Sequence, residues 1–541
     1  MSTNNGLAKV GSEAFINFEG VLNFTWNAPN KAVLQTRAFK NATNADSRVA
    51  ISANFAGFDV EESVFEDFAG VLAFVCKNPG IIDEDAFRQM PSPASQVTIT
   101  SDDGGFKGVY NYAFYEFAGI LDLTWTIPAG STGDGKCLDT DDGATGFDEF
   151  DDISQEIDCD FITRELLFFP SEEPCTSFDD DDFNGTAMCC ACGGGKAGPV
   201  AIGESAFSES SNAASIISVV VTTSTEGGLF IGPNAFENCD GTLNLTWAEP
   251  TVIERRTFKN MVNPASTVSI TSTDGKLTNV RDEGFYNFSG VLDFDWKNVR
   301  DGAKISARAF AEMTNAASTI DIESSRVSLD GLGLKLVDNS AFLKFPGTLN
   351  LEWTNAGDGA EIDEYAFYRV SSEASRITVY SSGGLRLVDD QAFDFFAGTL
   401  NFEWKDIERE STIGRRGFGH MFNNKSVIKI TDAGGTTKIG ERAFVDFAGA
   451  TLEVTGAFSA LQALEESVFA TLDEDPAMTI RMTDLTNLVR VEDWIRAETL
   501  DAVVVRGTCS PDLTRPADPA PSQSFVLDAL DCPANNGGGG A

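Results

Sequence analysis

The sequence predicts an α/β repeat solenoid, β-rich overall: a curved stack of about seventeen coils with a parallel β-sheet on one face and short helical turns on the other. Three observations lead there. One aromatic marker recurs along almost the whole chain, and each repeat holds both a strand-like and a turn-like period. No single repeat is long enough to bury a core by itself, so stacking must supply one.

The marker is Ala-Phe or a close variant, with its ring at Phe15, Phe39, Phe65, Phe87, Phe114, Phe207, Phe236, Phe258, Phe285, Phe310, Phe342, Phe367, Phe393, Phe418, Phe444 and Phe469, and with Trp494 in the same place at the end. Spacings run from 22 to 29 residues, except 32 between Phe310 and Phe342 and 93 between Phe114 and Phe207. Two kinds of unit alternate. One reads Phe-x-x-Phe-x-Gly-x-Leu-x-Phe-x-Trp, as in Phe285, Phe288, Gly290, Leu292, Phe294 and Trp296; the other carries Ala-Ser-x-Val/Ile-x-Ile, as in Phe310 to Ile322. Leu292-x-Phe294-x-Trp296 alternates as a strand does, whereas Phe15-x-x-Phe18 has the spacing of a short helical or 3₁₀ turn. Parallel strands lie about 4.8 Å apart, so such a stack would extend on the order of 80 Å.

Ile202-Gly203-x-x-Ala206-Phe207, Ile231-Gly232-x-x-Ala235-Phe236, Ile413-Gly414-x-x-Gly417-Phe418 and Ile439-Gly440-x-x-Ala443-Phe444 resemble the BspA-type leucine-rich repeat. The resemblance covers nearly the whole chain outside residues 130–198 and the tail, and departs from the family in placing Trp at the strand end. It implies a leucine-rich-repeat-type solenoid, extracellular adhesion, recognition of a protein or glycan, and no enzymatic activity of the repeat.

Charge narrows the partners. Against 39 Lys+Arg stand 82 Asp+Glu, a net charge of −43 that repels nucleic acid and anionic membranes and favours cations and basic partners. No apolar run is long enough to span a bilayer, and Met1–Lys9 lacks the regions of a secretory signal. The cysteines and the Asn-x-Ser/Thr acceptors Asn23, Asn41, Asn184, Asn244, Asn287 and Asn424 nevertheless suit an oxidising, glycosylating compartment. An extracellular or cell-surface protein is therefore expected, with its targeting segment outside this chain. The chain is then a fragment of a longer surface protein, or it self-associates end to end through exposed edges.

The repeat register sorts the ten cysteines. Cys76 takes the Trp place and Cys239 the second-Phe place, so both are expected to be buried free thiols. Cys509 and Cys532 would close a C-terminal cap, and Cys137, Cys159, Cys175, Cys189, Cys190 and Cys192 fall in the 93-residue gap. Disulfides are expected for these eight; a zinc site lacks the paired Cys-x₂-Cys spacing and a nearby histidine. The ending Ala187-Met-Cys-Cys-Ala-Cys resembles a small cysteine-rich module of secreted microalgal and protist proteins. Four regions result: 1–129, the N-terminal part of the solenoid; 130–198, an inserted acidic cysteine-rich module; 199–505, the main solenoid; and 506–541, a cap with a glycine-rich tail.

Chemistry has little to stand on. His420 is the only histidine, and it lies on the turn side of a coil, where an ordinary surface or half-buried role is expected; no phosphate loop, dinucleotide fingerprint or His-Glu-x-x-His motif occurs. No catalytic residue and no organic cofactor are expected. Asp179, Asp180, Asp181 and Asp182 are a candidate Ca²⁺ cluster, set against the plainer reading of a solvated acid run. The outward strand residues are the candidate partner surface: Asn23, Thr25, Thr98, Thr100, Asp122, Thr124, Asn244, Thr246, Asp293, Asp295, Asp321 and Glu323. Their plainer reading is that an exposed sheet needs β-tolerant polar residues. The expectation is a non-enzymatic adhesion or recognition scaffold. A Ca²⁺-cross-linked wall or matrix protein is the rival, and a hydrolase built around His420 the remote third.

Overall fold

The computed structural model describes residues 7–128 and 200–470, apart from short breaks at 30–31, 222–228, 301, 325–332, 355–358, 383, 408–409 and 466, together with isolated strands between 137 and 197 and from 477 onward. The chain divides into two compact units, residues 1–206 with 219–232, and 207–218 with 233–541. Each is a stack of parallel β-coils, so the expected repeat solenoid is present. Among the described residues the turns number about fourteen, where seventeen coils were expected. Of the seventeen markers, Trp494 lies outside the described residues.

Each coil contributes one long and one short strand, and each pairs in parallel with its counterpart in the next coil. In the first unit the long strands run Asn23–Asn27, Arg48–Ala53, Val71–Lys77, Gln96–Ser101 and Ile120–Ile127. In the second they run from Thr242–Ala248 through Thr267–Ser272, Val291–Lys297 and Thr319–Ser324 to Thr451–Ala457 and beyond. The short strands precede the Phe marker and form two further parallel sheets, one of seven strands from Lys9–Val10 to Leu229–Ile231 and one of ten that starts at Val252–Ile253, which the sequence pattern did not reveal. Gly108–Val109 pairs directly with Ala201–Ile202, so the coils on either side of the 93-residue gap are hydrogen-bonded to each other.

The expected short helical turns are not there: no helix occurs among the described residues. The reason is visible in the backbone. Residues two before and two after the marker Phe adopt left-handed φ in every described coil from Phe15 to Phe444, for example Glu283 at 57° and Asn287 at 55° around Phe285. A right-handed helix cannot pass through such residues. The amides of Gly284, Tyr286 and Phe288 close tight turns onto Arg281, Glu283 and Phe285, while those of Glu283, Phe285 and Asn287 reach Ala307, Ala309 and Ala311 of the next coil. Alternate amides thus serve the turn and the stack.

Coil spacing sets the core. Phe207, Phe236, Phe258, Phe285, Phe310, Phe342, Phe367, Phe393, Phe418, Phe444 and Phe469 form one ladder of rings, with successive centroids 4.8–5.7 Å apart and planes within 18°. Phe15, Phe39, Phe65, Phe87 and Phe114 repeat the ladder in the first unit. The Trp that departs from the family pattern is accommodated by its neighbour. Trp296 faces Ser272 of the preceding coil and Ile322 of the next, and Trp353 and Trp404 likewise face Ser324 and Ser381. A large ring beside a small side chain keeps the volume per layer even.

Buried serines tie the coils. Ser318 is fully buried; its Oγ accepts the Leu292 amide at 3.1 Å from the coil before, and its carbonyl accepts the Thr348 amide at 2.9 Å from the coil after. Ser47, Ser95, Ser266, Ser375 and Ser426 do the same for Leu22, Leu72, Leu243, Leu349 and Leu400. The Gly of the Phe-x-Gly step is forced by this approach. A Cβ on Gly290 would meet Ser266 O and Phe288 Cζ, both at 2.6 Å.

Candidate functional site

Alternation along the long strands turns one set of side chains into the core and the other outward. All twelve expected partner residues are on the outward set: Asn23, Thr25, Asp122, Thr124, Thr246, Asp293 and Glu323 are exposed, and Thr98, Thr100, Asn244, Asp295 and Asp321 are half-buried. The first unit's face is small and nearly neutral. There Thr98 lies beside Asp122 and Thr100 beside Thr124, with Ala50 beside Ala73.

The second unit's face is acidic. Asp295 and Asp321 occupy neighbouring rungs, as do Glu323 and Glu352. Like charges facing across adjacent strands repel, and here they are only partly offset. Lys297 Nζ lies 3.1 Å from Asp295, Asn350 donates to Asp321 at 2.5 Å, and Thr319 donates to Asp293 at 3.0 Å. Among the described residues no group of three or more His, Cys, Asp or Glu is placed to hold a metal ion.

The turn side carries ladders of its own. Left-handed positions suit asparagine, and Asn287 donates to Asn260, which donates to Asn238, which donates to Glu209. Glu283, almost buried, is met by Arg256 at 3.0 Å, Lys259 at 2.7 Å and Arg308 at 3.0 Å. Burial alone would raise its pKa; the Lys259 hydrogen bond and the charges of Lys259 and Arg308 outweigh this and hold the carboxyl below its usual range. Asp363 has no such cations. Burial, then repulsion from Asp338 and Glu361, push it up to about 7.

His420 is half-buried, as its place on a turn suggested, but its surroundings are far from ordinary. Its Nδ1 lies 2.6 Å from the fully buried Asp394 and its Nε2 3.3 Å from Asp446, and the ring is stacked on Phe395. Nothing in the single-coil motif signals this, because each carboxylate belongs to a neighbouring coil. Cys76 and Cys239 are buried free thiols, as the register required, and burial pushes both up to about 12. Of the glycosylation acceptors, Asn23 and Asn424 are exposed, while Asn41, Asn244 and Asn287 donate their amides to Asn17, Ser218 and Asn260. Asn184, the acids Asp179, Asp180, Asp181 and Asp182, and the side chains of Cys137, Cys159, Cys175, Cys189, Cys190, Cys192, Cys509 and Cys532 lie outside the described residues.

With coils, ladders and outward faces in place, the repeat can be compared with known families. Residues 200–342 match the BspA type Leucine rich repeat region in six copies. Over that segment the chain is similar to this family, which the Ile-Gly-x-x-Ala-Phe text resembled. The same coil geometry continues beyond the matched BspA-type segment, through Ile413-Gly414 and Ile439-Gly440. No curated protein and no solved structure matches the chain.

Proposed function

We propose that this protein is a non-enzymatic recognition scaffold of the cell surface or extracellular space, and that the outward long-strand face of its second unit binds a basic protein partner. The observation that carries the reading is the run of Asp293, Asp295, Asp321, Glu323 and Glu352 on adjoining rungs of a sheet whose backbone is already fully paired. Such a face recognises by side chains alone, and excess negative charge steers cationic partners toward it. The BspA-type repeat supports a protein-interaction role.

The test is binding of lysine- and arginine-rich polypeptides to the immobilised chain, compared with a variant carrying Asp293→Asn, Asp321→Asn, Glu323→Gln and Glu352→Gln. Affinity for the wild type should fall with ionic strength, and the variant should bind at least tenfold more weakly. Equal binding by both proteins would remove this face from the reading. Binding restricted to neutral glycans would redirect it to the first unit's Thr-rich face.

A further inference from the structure

One imidazole lies where three coils can be tied together. Asp394, His420 and Asp446 follow the marker rings Phe393, Phe418 and Phe444 on successive coils, whose rings stack at 5.4 Å each. The His420 ring lies flat on Phe395, with centroids 4.4 Å apart and planes within 3°. That stacking fixes its two nitrogens toward opposite neighbours: Nδ1 is 2.6 Å from Asp394 Oδ1 and Nε2 is 3.3 Å from Asp446 Oδ2.

The chemistry of the ring then matters. A neutral imidazole has one N–H and one lone pair, so it donates to one carboxylate and turns a lone pair toward the other; an imidazolium donates to both. Asp394 is fully buried and its Oδ2 has no hydrogen-bond partner, so the imidazole hydrogen bond leads the compensation of its charge, ahead of the charges of Arg416 and Arg369. The remaining charged groups are accounted for. Arg369, which lies 5.0 Å over Tyr368 and 5.3 Å over Phe395, and Arg416 both act on Asp394. Arg415 faces Asp390 at 3.8 Å, and Arg442 faces Glu441 at 3.4 Å.

We propose that His420 is a proton-operated clasp within the second unit: as imidazolium it binds the coils of Phe393, Phe418 and Phe444 together, and as neutral imidazole it releases the Asp446 side. The sign follows from the hydrogen bonds. The clasp is closed while the imidazole carries its second proton, and its contribution is lost when rising pH removes that proton. Burial raises the Asp394 pKa, against the hydrogen bond from His420, so keeping that carboxylate ionised also becomes harder once the imidazolium is gone. This device is on the turn side and is independent of the sheet-face reading.

Backbone amides report on it directly, because Phe418 N–H donates to Ala443 O at 2.9 Å and His420 N–H donates to Val445 O at 2.7 Å across the joint in question. Their hydrogen exchange, corrected for intrinsic base catalysis, gives the local opening equilibrium. Between pH 5.5 and 8 the wild type should open about tenfold more, the worth of one charge-assisted hydrogen bond. His420→Gln, which donates to one carboxylate at every pH, should show no such rise. Asp446→Asn should also be flat, while the single histidine still titrates by NMR. A wild-type opening that ignores pH, or an unchanged rise in His420→Gln, would overturn the proposal. If His420→Gln does not fold by circular dichroism, Asp446→Asn decides: a persisting tenfold rise there refutes the clasp.

Discussion

Replacing Phe310 by alanine tests the stacking account of the core. The ring is fully buried, lies 5.3 Å from Phe285 and 5.1 Å from Phe342 with nearly parallel planes, and meets Phe294 edge-on at 5.5 Å. Removing a buried phenylalanine costs about 3–5 kcal/mol. Here the loss falls on both interfaces of one coil, and neighbouring backbones held by the inter-coil ladders cannot collapse into the space. An expected loss of about 4 kcal/mol follows. In a solenoid, stability is a sum over neighbouring coils, so weakening one joint this far should split a single urea transition into two. Phe310→Leu keeps most of the volume and should lose only about 1.5 kcal/mol with one transition retained. Urea titrations followed by circular dichroism and tryptophan fluorescence measure both. A loss under about 1 kcal/mol in Phe310→Ala, or equal losses in the two variants, would refute the reasoning.

Three further outcomes are expected. Ser318→Ala strands the buried Leu292 amide and should lower stability by about 1–3 kcal/mol in the same titration, with the fold intact. Asp363→Asn should leave stability unchanged near pH 4 and raise it at pH 8. The native pKa of about 7 lies above the unfolded value, so the wild type loses stability as pH climbs through that window while the amide does not; thermal melts at the two pH values check this. Cys76 and Cys239, pushed up to about 12, should resist a thiol-specific maleimide in the native state and react after denaturation, as intact-mass spectrometry would show.

Much of this was legible because the repeat speaks many times over. The marker spacing gave the coil, the alternation in Leu292-x-Phe294-x-Trp296 gave the long strand, and the register placed Cys76 and Cys239 in the core. The turn was misread because Phe-x-x-Phe spacing is shared by a helix and by two tight turns in succession; only the left-handed φ at residues such as Glu283 and Asn287 separates them, and neither residue advertises it as glycine would. The short strands escaped notice because two to four residues carry too little alternation to read. Ser318 stood in plain view in its Ala-Ser motif, yet its role depends on an amide 26 residues away. The same holds for His420, whose partners are each about one coil distant in sequence. Local pattern fixes what a coil is, while the contacts between coils depend on which unit precedes which.

The seating of Trp296, Trp353 and Trp404 against serines limits how such a chain can change length. Trp353 requires Ser324 on one side and Val379 on the other. Deleting a serine-bearing coil would set two tryptophans on adjoining layers and crowd that joint, whereas deleting a tryptophan-bearing coil would set two serines together and hollow it. Removing or duplicating a pair restores the seating at once. Gene-level growth or shrinkage of this solenoid is therefore expected to proceed in steps of two coils, and the outward-facing rungs, carried along with the pair, would be copied or lost together.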